Sequence, residues 1–168
     1  MTWFAWLLWV VFGVAETPSE SLRLRMGEPA DSIVVNKAKR ELSVYRSGRV
    51  IQVSRIALGE APRGDKRCEG DRKTPEGSYR IDFRNDQSQY HRSLRIGYPS
   101  AADIREAKAA GCAPGGDIML HGLPKGMGRW GGRALQTDWT WGCVALTDEG
   151  IDSVWSVARV GTLVILRP

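Results

Sequence analysis

Three short apolar segments near the start of the chain constrain its fold most strongly. Residues Ser32–Asn36, Glu41–Arg46 and Arg49–Leu58 are rich in valine, isoleucine and leucine, which alternate with polar residues or run continuously. Residues 37–40 separate the first two segments, and Ser47-Gly48 separates the second from the third. Segments of this length and composition, joined by such short turns, predict a meander of antiparallel strands.

The rest of the chain adds further strands and two helices. Residues 59–77 contain four glycines and two prolines without periodicity. This composition predicts a long loop, and long loops in compact domains are usually functional. We expect one helix at Ala101–Ala110, after the N-cap residue Ser100, and a second that begins at Thr147. Further strands are expected at Ser78–Phe83, Asp117–Leu120 and Thr162–Leu166. The predicted fold is therefore mainly β with two short helices.

The composition is that of one globular domain with an excess of positive charge. Hydrophobic residues make up 42% of the 168 residues, charged residues make up 26%, and the formal net charge is +5. Such a charge favours an anionic partner. Acidic residues interrupt the densest positive segment, residues 63–73, which argues against nucleic acid as that partner. No Cys-x-x-Cys motif occurs, and the scattered histidines and cysteines predict no metal site.

The first fifteen residues differ in kind from those that follow. Residues 3–14 are uncharged and apolar, which is too short for a membrane-spanning helix but suits a signal-peptide core. Residues 1–15 are therefore predicted to be a signal peptide, or a short uncleaved anchor, because no lysine or arginine precedes the apolar core. Residues 16–30 are predicted to be a polar linker and residues 31–168 one folded domain. Membrane contact is expected only through an uncleaved N-terminal segment.

Export changes the interpretation of the three cysteines. In an oxidising compartment two cysteines can pair while the third stays free. Because Cys143 lies on a glycine turn, Cys68 and Cys112 are the natural pair. A disulfide between them would stabilise the fold by roughly 4 kcal/mol in the chain-entropy model. The alternative, that both thiols remain reduced, stays open.

Cys143 and His121 together suggest nucleophilic catalysis. A cysteine attacks carbonyls as the thiolate, and a nearby imidazole can take its proton and later protonate the leaving group. Gly142 permits a tight turn in which the backbone N–H groups of Gly142 and Cys143 would donate to a bound carbonyl oxygen. The alternative is a small buried cysteine and a packed histidine at a strand end. The group that orients the imidazole also stays open, the candidates being Asp138, Asp117 and a backbone carbonyl near Thr140.

A larger set of motifs surrounds this pair and resembles a known family. His121-Gly122, followed by Thr140-x-Gly142-Cys143 and an apolar residue, resembles the signature of YkuD-type L,D-transpeptidases. The resemblance extends over about residues 31–168. The order of the motif blocks in this chain is similar to that of the YafK-like branch of the family. These blocks are Leu58-Gly59, Gly64-Asp65-Lys66, Glu69-Gly70-Asp71, Lys73-Thr74-Pro75-Glu76-Gly77, Ser93-Leu94, Tyr98-Pro99 and residues 115–122.

The resemblance implies an L,D-transpeptidase-type β-sandwich without cofactors, exported to the periplasm or cell envelope of a bacterium. It implies that Cys143 is the nucleophile and His121 the proton acceptor and donor. Gly142 would supply a backbone donor to the oxyanion hole, and Thr140 would lie in the turn that orients the histidine. The 31–168 domain is then the catalytic domain.

The resemblance also implies a reaction on peptidoglycan stem peptides. The cysteine would attack the L-centre carbonyl of meso-diaminopimelate in a tetrapeptide stem, release D-alanine and transfer the acyl group to an amine. The first alternative is a hydrolase of the same class, either an L,D-carboxypeptidase or an amidase that cuts peptidoglycan–lipoprotein links. The second is a non-catalytic wall-binding module.

Two positions beside the cysteine depart from better-known family members. Ala145 stands where those members often carry arginine, and Trp141 stands where a polar residue is frequent. A substrate carboxylate must then be bound elsewhere, the candidates being Lys66, Arg72 and Arg133. Trp141 could stack on the substrate or cover its own loop, as could Trp130 and Trp139. His91 could be a second base, but a packed loop histidine is the favoured interpretation.

Overall fold

The computed structural model describes residues 28–168, which form an eight-stranded sheet with helices. The strands are β1 (Ser32–Asn36), β2 (Glu41–Arg46), β3 (Arg49–Arg55), β4 (Gly77–Asn85), β5 (Ser93–Ile96), β6 (Met119–His121), β7 (Val144–Ala145) and β8 (Leu163–Arg167). The helices are α1 (Ala101–Ala109), α2 (Asp148–Val157) and a 3-10 helical segment (Gly128–Leu135) that is kinked at Gly131. The mainly β fold is confirmed, and the 3-10 helix adds to the two predicted helices. The predicted signal peptide and most of the predicted linker lie outside the described residues.

β4 joins the two halves of the sheet, whose order is β3-β2-β1-β8-β4-β5-β6-β7. Its first residues pair with β8 and its later residues with β5, and the register shifts between Ile81 and Phe83. Such an irregularity bends a strand and lets a sheet curl. One buried cluster contains residues from both halves, among them Ile33, Val164 and Leu120. The curled sheet therefore surrounds a shared core.

The predicted meander is present, with one difference at its end. β1, β2 and β3 pair antiparallel, and β1 also pairs in parallel with β8. The third strand was expected to reach Leu58 but ends at Arg55. Residues 56–58, which follow, are buried and leave the edge of the sheet. Ala57 exchanges two backbone hydrogen bonds of 2.9 Å with Ala145. This crossing ties the meander to the segment that carries Cys143.

The shortest strands differ from the sequence-based prediction. β5 and β7 were not predicted, and β6 spans Met119–His121 rather than Asp117–Leu120. Strands of two to four residues are too short to show a recognisable alternation of apolar and polar side chains. They form because their neighbours pair with them: β6 pairs antiparallel with β5 and parallel with β7.

Both α-helices begin at the predicted caps. The Ser100 side chain accepts a hydrogen bond from the Asp103 N–H, and the Asp103 carboxylate accepts one from the Ser100 N–H. Thr147 caps α2 by accepting from the Gly150 N–H at 3.0 Å. α2 buries Ile151 in the core beneath the sheet. Within residues 28–168, no helix is long and apolar enough to cross a membrane.

The long loop between β3 and β4 is tied down at several points. A disulfide links Cys68 in the loop to Cys112 after α1, with Cα atoms 5.7 Å apart, which is the pair expected from the sequence. The buried Lys37 ammonium binds the Glu76 carboxylate at 2.8 Å and the carbonyls of residues 64 and 74. These contacts fix the loop beside the segment that holds Cys143.

Candidate active site

A tight turn presents the Cys143 thiol. The Thr140 hydroxyl accepts a hydrogen bond from the Gly142 N–H at 3.1 Å and donates one to the Cys143 carbonyl at 2.7 Å. The Thr140 backbone is itself anchored, because its N–H donates to Leu58 and its carbonyl accepts from Glu60, each at 3.0 Å. Thr140 therefore stabilises the turn through its side-chain hydrogen bonds and connects the turn to the start of the long loop through its backbone.

Gly142 is required at its position by both its backbone angle and its surroundings. Its φ is 126°, a value that L side chains rarely adopt. A Cβ atom there would lie 2.6 Å from the Lys73 carbonyl oxygen and 3.2 Å from Ile118 Cδ1. The Gly142 N–H, which was expected to meet a bound carbonyl, instead donates to Thr140 in this structure. Gly142 therefore shapes the turn here.

His121 ends β6 with its ring nearly enclosed. Its side chain is 3% exposed, and its Nδ1 lies 2.7 Å from the Gly122 carbonyl oxygen. A carbonyl only accepts, so this contact places the proton on Nδ1 and leaves Nε2 as an acceptor. The ring centroids of Tyr90 and Trp139 lie 4.5 and 5.8 Å from that of His121. The imidazole is thus held in one tautomer between two aromatic rings.

The group that orients His121 is the Gly122 carbonyl, which was not among the candidates. Asp138 has other partners: its carboxylate binds Arg40 at 2.6 Å and accepts the Leu58 N–H at 2.9 Å. Asp117 is 78% exposed and lies 3.7 Å from the cation of Arg95. Both carboxylates are therefore directed to groups other than the imidazole. The orienting acceptor is supplied by the residue adjacent in sequence.

Cys143 and His121 line the same cavity, with a volume of about 300 Å³. Tyr90, Trp139 and Trp141 also contribute to its walls. The Cys143 Sγ lies 3.5 Å from the backbone carbonyl of residue 117 at the cavity edge. The structure thus brings a free thiol and an unprotonated imidazole nitrogen to one cavity, as the motif predicts.

Burial favours the neutral forms of both Cys143 and His121. Burial, the main cause, raises the pKa of the Cys143 thiol above its ordinary value of 9.0. A hydrogen bond from Met119 and the Lys66 charge oppose this shift, and the Asp117 charge adds to it. Burial also lowers the pKa of His121 from 6.5 to about 4. Both shifts favour the neutral thiol and the neutral imidazole over a thiolate–imidazolium pair.

We expect His121 to make the fold less stable in acid. Its pKa is lower in the folded than in the unfolded chain, so the unfolded chain binds the extra proton and stability falls as pH drops from 6.5 to about 4. The full loss is about 3 kcal/mol. Urea unfolding at several pH values should show this loss in the wild type and a much flatter dependence in His121→Gln. His91→Gln serves as the control, and an equally flat response in that variant would contradict the assignment.

Lys66, the first of the three predicted carboxylate-binding cations, holds the loop rather than lining the cavity surface. Its side chain is 4% exposed. Its ammonium binds the Asp71 carboxylate at 2.9 Å and the Cys68 carbonyl at 3.0 Å. Asp71 also accepts three backbone N–H groups. Burial raises the pKa of its carboxyl, but the hydrogen bonds from Lys66 and from these three N–H groups outweigh burial and lower it. Lys66 is therefore committed to internal contacts.

The other two cations lie at different places on the surface. Arg133 lines a separate cavity of about 290 Å³ together with Arg129 and Trp130. Arg72 lies over the ring of Trp141, with its guanidinium carbon 4.1 Å from the ring centroid. Because Trp141 lines the cavity that holds Cys143, Arg72 is the candidate that the structure brings to the site.

Other predicted residues have structural roles. His91 packs as a loop histidine, because its Nε2 lies 2.9 Å from Asp152, which also binds Arg92. The Trp139 indole N–H donates to the Ala134 carbonyl at 2.9 Å. Sequence reasoning missed Tyr90, because a single aromatic in a loop has no periodic signal. Across residues 28–168, no group of three or more histidine, cysteine or acidic side chains could hold a metal.

Comparison with known families gives a match over almost the whole described chain. The YkuD family, described as the L,D-transpeptidase catalytic domain, matches residues 30–166. A relative from Escherichia coli K12, "Putative L,D-transpeptidase YafK", is 30% identical over 172 residues, which cover 98% of this chain and 61% of the relative. The chain therefore spans less than two thirds of the length of that relative.

Solved structures share the same fold. The helical cell shape determining protein Pgp2 from Campylobacter jejuni has a TM-score of 0.63 and 27% identity, covering 83% of this chain and 48% of its own. An L,D-transpeptidase from Xylanimonas cellulosilytica has a TM-score of 0.54 and 15% identity, covering 90% and 70%. The second similarity concerns the fold alone.

Proposed function

This chain belongs to the family of L,D-transpeptidase catalytic domains, which are cysteine-dependent enzymes, and we propose that it is an exported peptidoglycan L,D-transpeptidase. The observation that carries the proposal is the cavity shared by the free thiol of Cys143 and the imidazole of His121. The hydrogen bond from Nδ1 to Gly122 leaves Nε2 free to accept the thiol proton. The acyl donor is a tetrapeptide stem of peptidoglycan.

In the first half-reaction, Nε2 of His121 takes the proton from Cys143 as Sγ attacks the L-centre carbonyl of meso-diaminopimelate. The carbonyl oxygen becomes an oxyanion, and the Cys143 N–H donates to it. When the tetrahedral intermediate collapses, the bond to D-alanine breaks and the imidazolium returns its proton to the leaving amine. A thioester and free D-alanine result, and His121 is neutral again.

The second half-reaction determines the product. An acceptor amine gives a proton to Nε2 and attacks the thioester, which forms a new amide and restores the thiol. Water reacting in the same way gives a tripeptide stem. Thr140 and Gly142 hold the thiol in place through both steps, since they fix the turn on which it lies.

The setting of this reaction is the bacterial cell envelope. We propose that residues 1–15 direct export and that residues 31–168 act on the wall. Pgp2 is described as a helical cell shape determining protein, and its similarity to this chain favours a role in shaping the wall here as well. Among the described residues no membrane-spanning helix occurs, so we propose membrane contact only through an uncleaved leader.

Incubation of the purified protein with a disaccharide-tetrapeptide tests the proposal. We expect D-alanine together with a crosslinked dimer, both detected by mass spectrometry. D-alanine with tripeptide and no dimer would identify a hydrolase of the same class, and transfer would then be wrong. If neither product forms and a carbapenem-like acylating agent gives no Cys143 adduct on the folded protein, the chain is a wall-binding module.

A further inference from the structure

An exposed indole and a guanidinium are stacked at the edge of the catalytic cavity. Trp141 lines the cavity, directly precedes Gly142 and is 71% exposed. The guanidinium carbon of Arg72 lies 4.1 Å from the centroid of its ring. If the Trp141 indole only covered its own loop, that loop would bury the indole. Instead the pair presents a cation to solvent at the edge of the cavity that Cys143 lines.

The backbone of Arg72 is held rigidly against the turn that carries Cys143. Its φ is 59°, and its carbonyl accepts the Ala61 N–H at 3.1 Å. A Cβ atom on Gly59 would lie 2.1 Å from this carbonyl oxygen. The next carbonyl, that of residue 73, occupies the space where a side chain on Gly142 would lie. The contacts of two glycines therefore place the backbone of residues 72 and 73 beside the turn that carries Cys143.

The guanidinium has capacity for another carboxylate. Arg72 binds Glu60 through Nη1 at 2.7 Å, and the two side chains are about a third and a half exposed. An arginine has five N–H donors, and an exposed ion pair contributes only about 0–1 kcal/mol, so Glu60 can be displaced. Stacking on an indole orients the planar guanidinium without using its donors.

The position that carries arginine in better-known members cannot supply this charge. Ala145 there is fully buried and bonded to Ala57. Lys66 is committed to the loop, and Arg133 lines a different cavity. Of the cations considered for a substrate carboxylate, Arg72 is the one that contacts a residue lining the catalytic cavity.

We propose that Arg72, held over Trp141, binds a carboxylate at the diaminopimelyl–D-alanine end of the acyl donor and replaces Glu60 as its partner when substrate enters. This inference rests on the proposed function and specifies how its substrate is recognised. That end of the donor carries two carboxylates: the C-terminal carboxylate of D-alanine and the D-centre carboxylate of diaminopimelate. Either has the planar geometry that an arginine binds with two parallel hydrogen bonds.

The test compares three tetrapeptide donors: the free acid, the C-terminal amide and the D-centre amide. We expect the wild type to prefer the free acid over one of the amides by about tenfold or more in kcat/KM, the size of a charged hydrogen bond. The amide that is disfavoured identifies the carboxylate. In Arg72→Met this preference should fall to about onefold, and in Arg72→Lys it should be partly retained, because an ammonium keeps the charge but not the paired hydrogen bonds.

Two further variants sharpen the result. Glu60→Gln should lower KM for the free acid about two- to fivefold, because the guanidinium loses its competing partner. Arg63→Met, on the same loop but lining a different cavity, should behave as the wild type. Alkylation of Cys143 by iodoacetamide should proceed at the wild-type rate in all variants, which shows that the nucleophile is intact.

A free-acid preference that survives in Arg72→Met would overturn the inference while leaving the proposed function intact. The same holds if the wild type turns over all three donors equally. If the wild type alkylates normally but releases D-alanine from no donor, the proposed function itself fails and the inference fails with it.

Discussion

Cys143→Ala is expected to abolish D-alanine release and leave the fold unchanged. The substitution removes the atom that forms the thioester, and loss of a nucleophile lowers kcat by on the order of 10⁴-fold or more. The thiol is a weak hydrogen-bond donor, and its Sγ lies 3.5 Å from the carbonyl of residue 117, so little stability is lost with it. Mass spectrometry of the reaction mixture measures the activity, and the urea midpoint measures the stability.

Adduct counting provides the control for this prediction. The other two cysteines are joined in a disulfide, so the folded wild type should take up one label from an acylating agent or iodoacetamide. Cys143→Ala should take up none until the disulfide is reduced. Activity in Cys143→Ala within about tenfold of the wild type would exclude the acyl-enzyme mechanism. Residual labelling of this variant would mean that the disulfide is open.

Gly142→Ala is expected to reduce both stability and activity. The new Cβ would meet the Lys73 carbonyl at 2.6 Å, and φ of 126° is unfavourable for alanine. Backbone atoms cannot give way as a flexible side chain can, so the turn itself must move. We expect a loss of about 2–4 kcal/mol in the free energy of unfolding. A displaced thiol should also lower kcat by about 100-fold or more.

Gly48→Ala is the control that separates the effect of the steric clash at Gly142 from the effect of a positive φ. Gly48 also has a positive φ, of 71°, but no atom lies within 4 Å of the position of a new Cβ. This variant should lose only about 1 kcal/mol and keep its activity. If Gly142→Ala loses no more stability than Gly48→Ala and retains full kcat, the close approach of residue 73 does not constrain the turn.

The long, regular elements of the fold were accessible from the sequence because their patterns are local. The strands Ser32–Asn36 and Glu41–Arg46 and both helix caps lie where alternation and capping residues predict them. β5 and β7 were missed because pairing with distant neighbours forms them, and they are too short to show a pattern. The early end of β3 has the same origin, since Ala57 pairs with Ala145 instead of continuing the meander.

The candidate site also combines features that the sequence indicates with features that only the structure shows. Cys143 and His121 were recognisable as a candidate pair, because a thiol on a glycine turn and a histidine at a strand end each carry a local signature. The partner of the His121 ring was not, since any nearby carbonyl could accept its proton and only the geometry selects Gly122. Tyr90 likewise reaches the ring from a loop without a motif.

The sequence alone therefore indicated Cys143 and His121 as the candidate nucleophile and base, favoured Cys68 and Cys112 as the disulfide pair and predicted the family, because residue type and short-range spacing carry that information. Only the tertiary structure decided which cation contacts the wall of the cavity. Lys66, Arg72 and Arg133 are equivalent as charges in the sequence. Arg72 differs because chain segments far apart in sequence pack residues 72 and 73 against Gly59 and Gly142, and its side chain lies over Trp141. Such contacts depend on distances through space, which spacing along the chain does not specify.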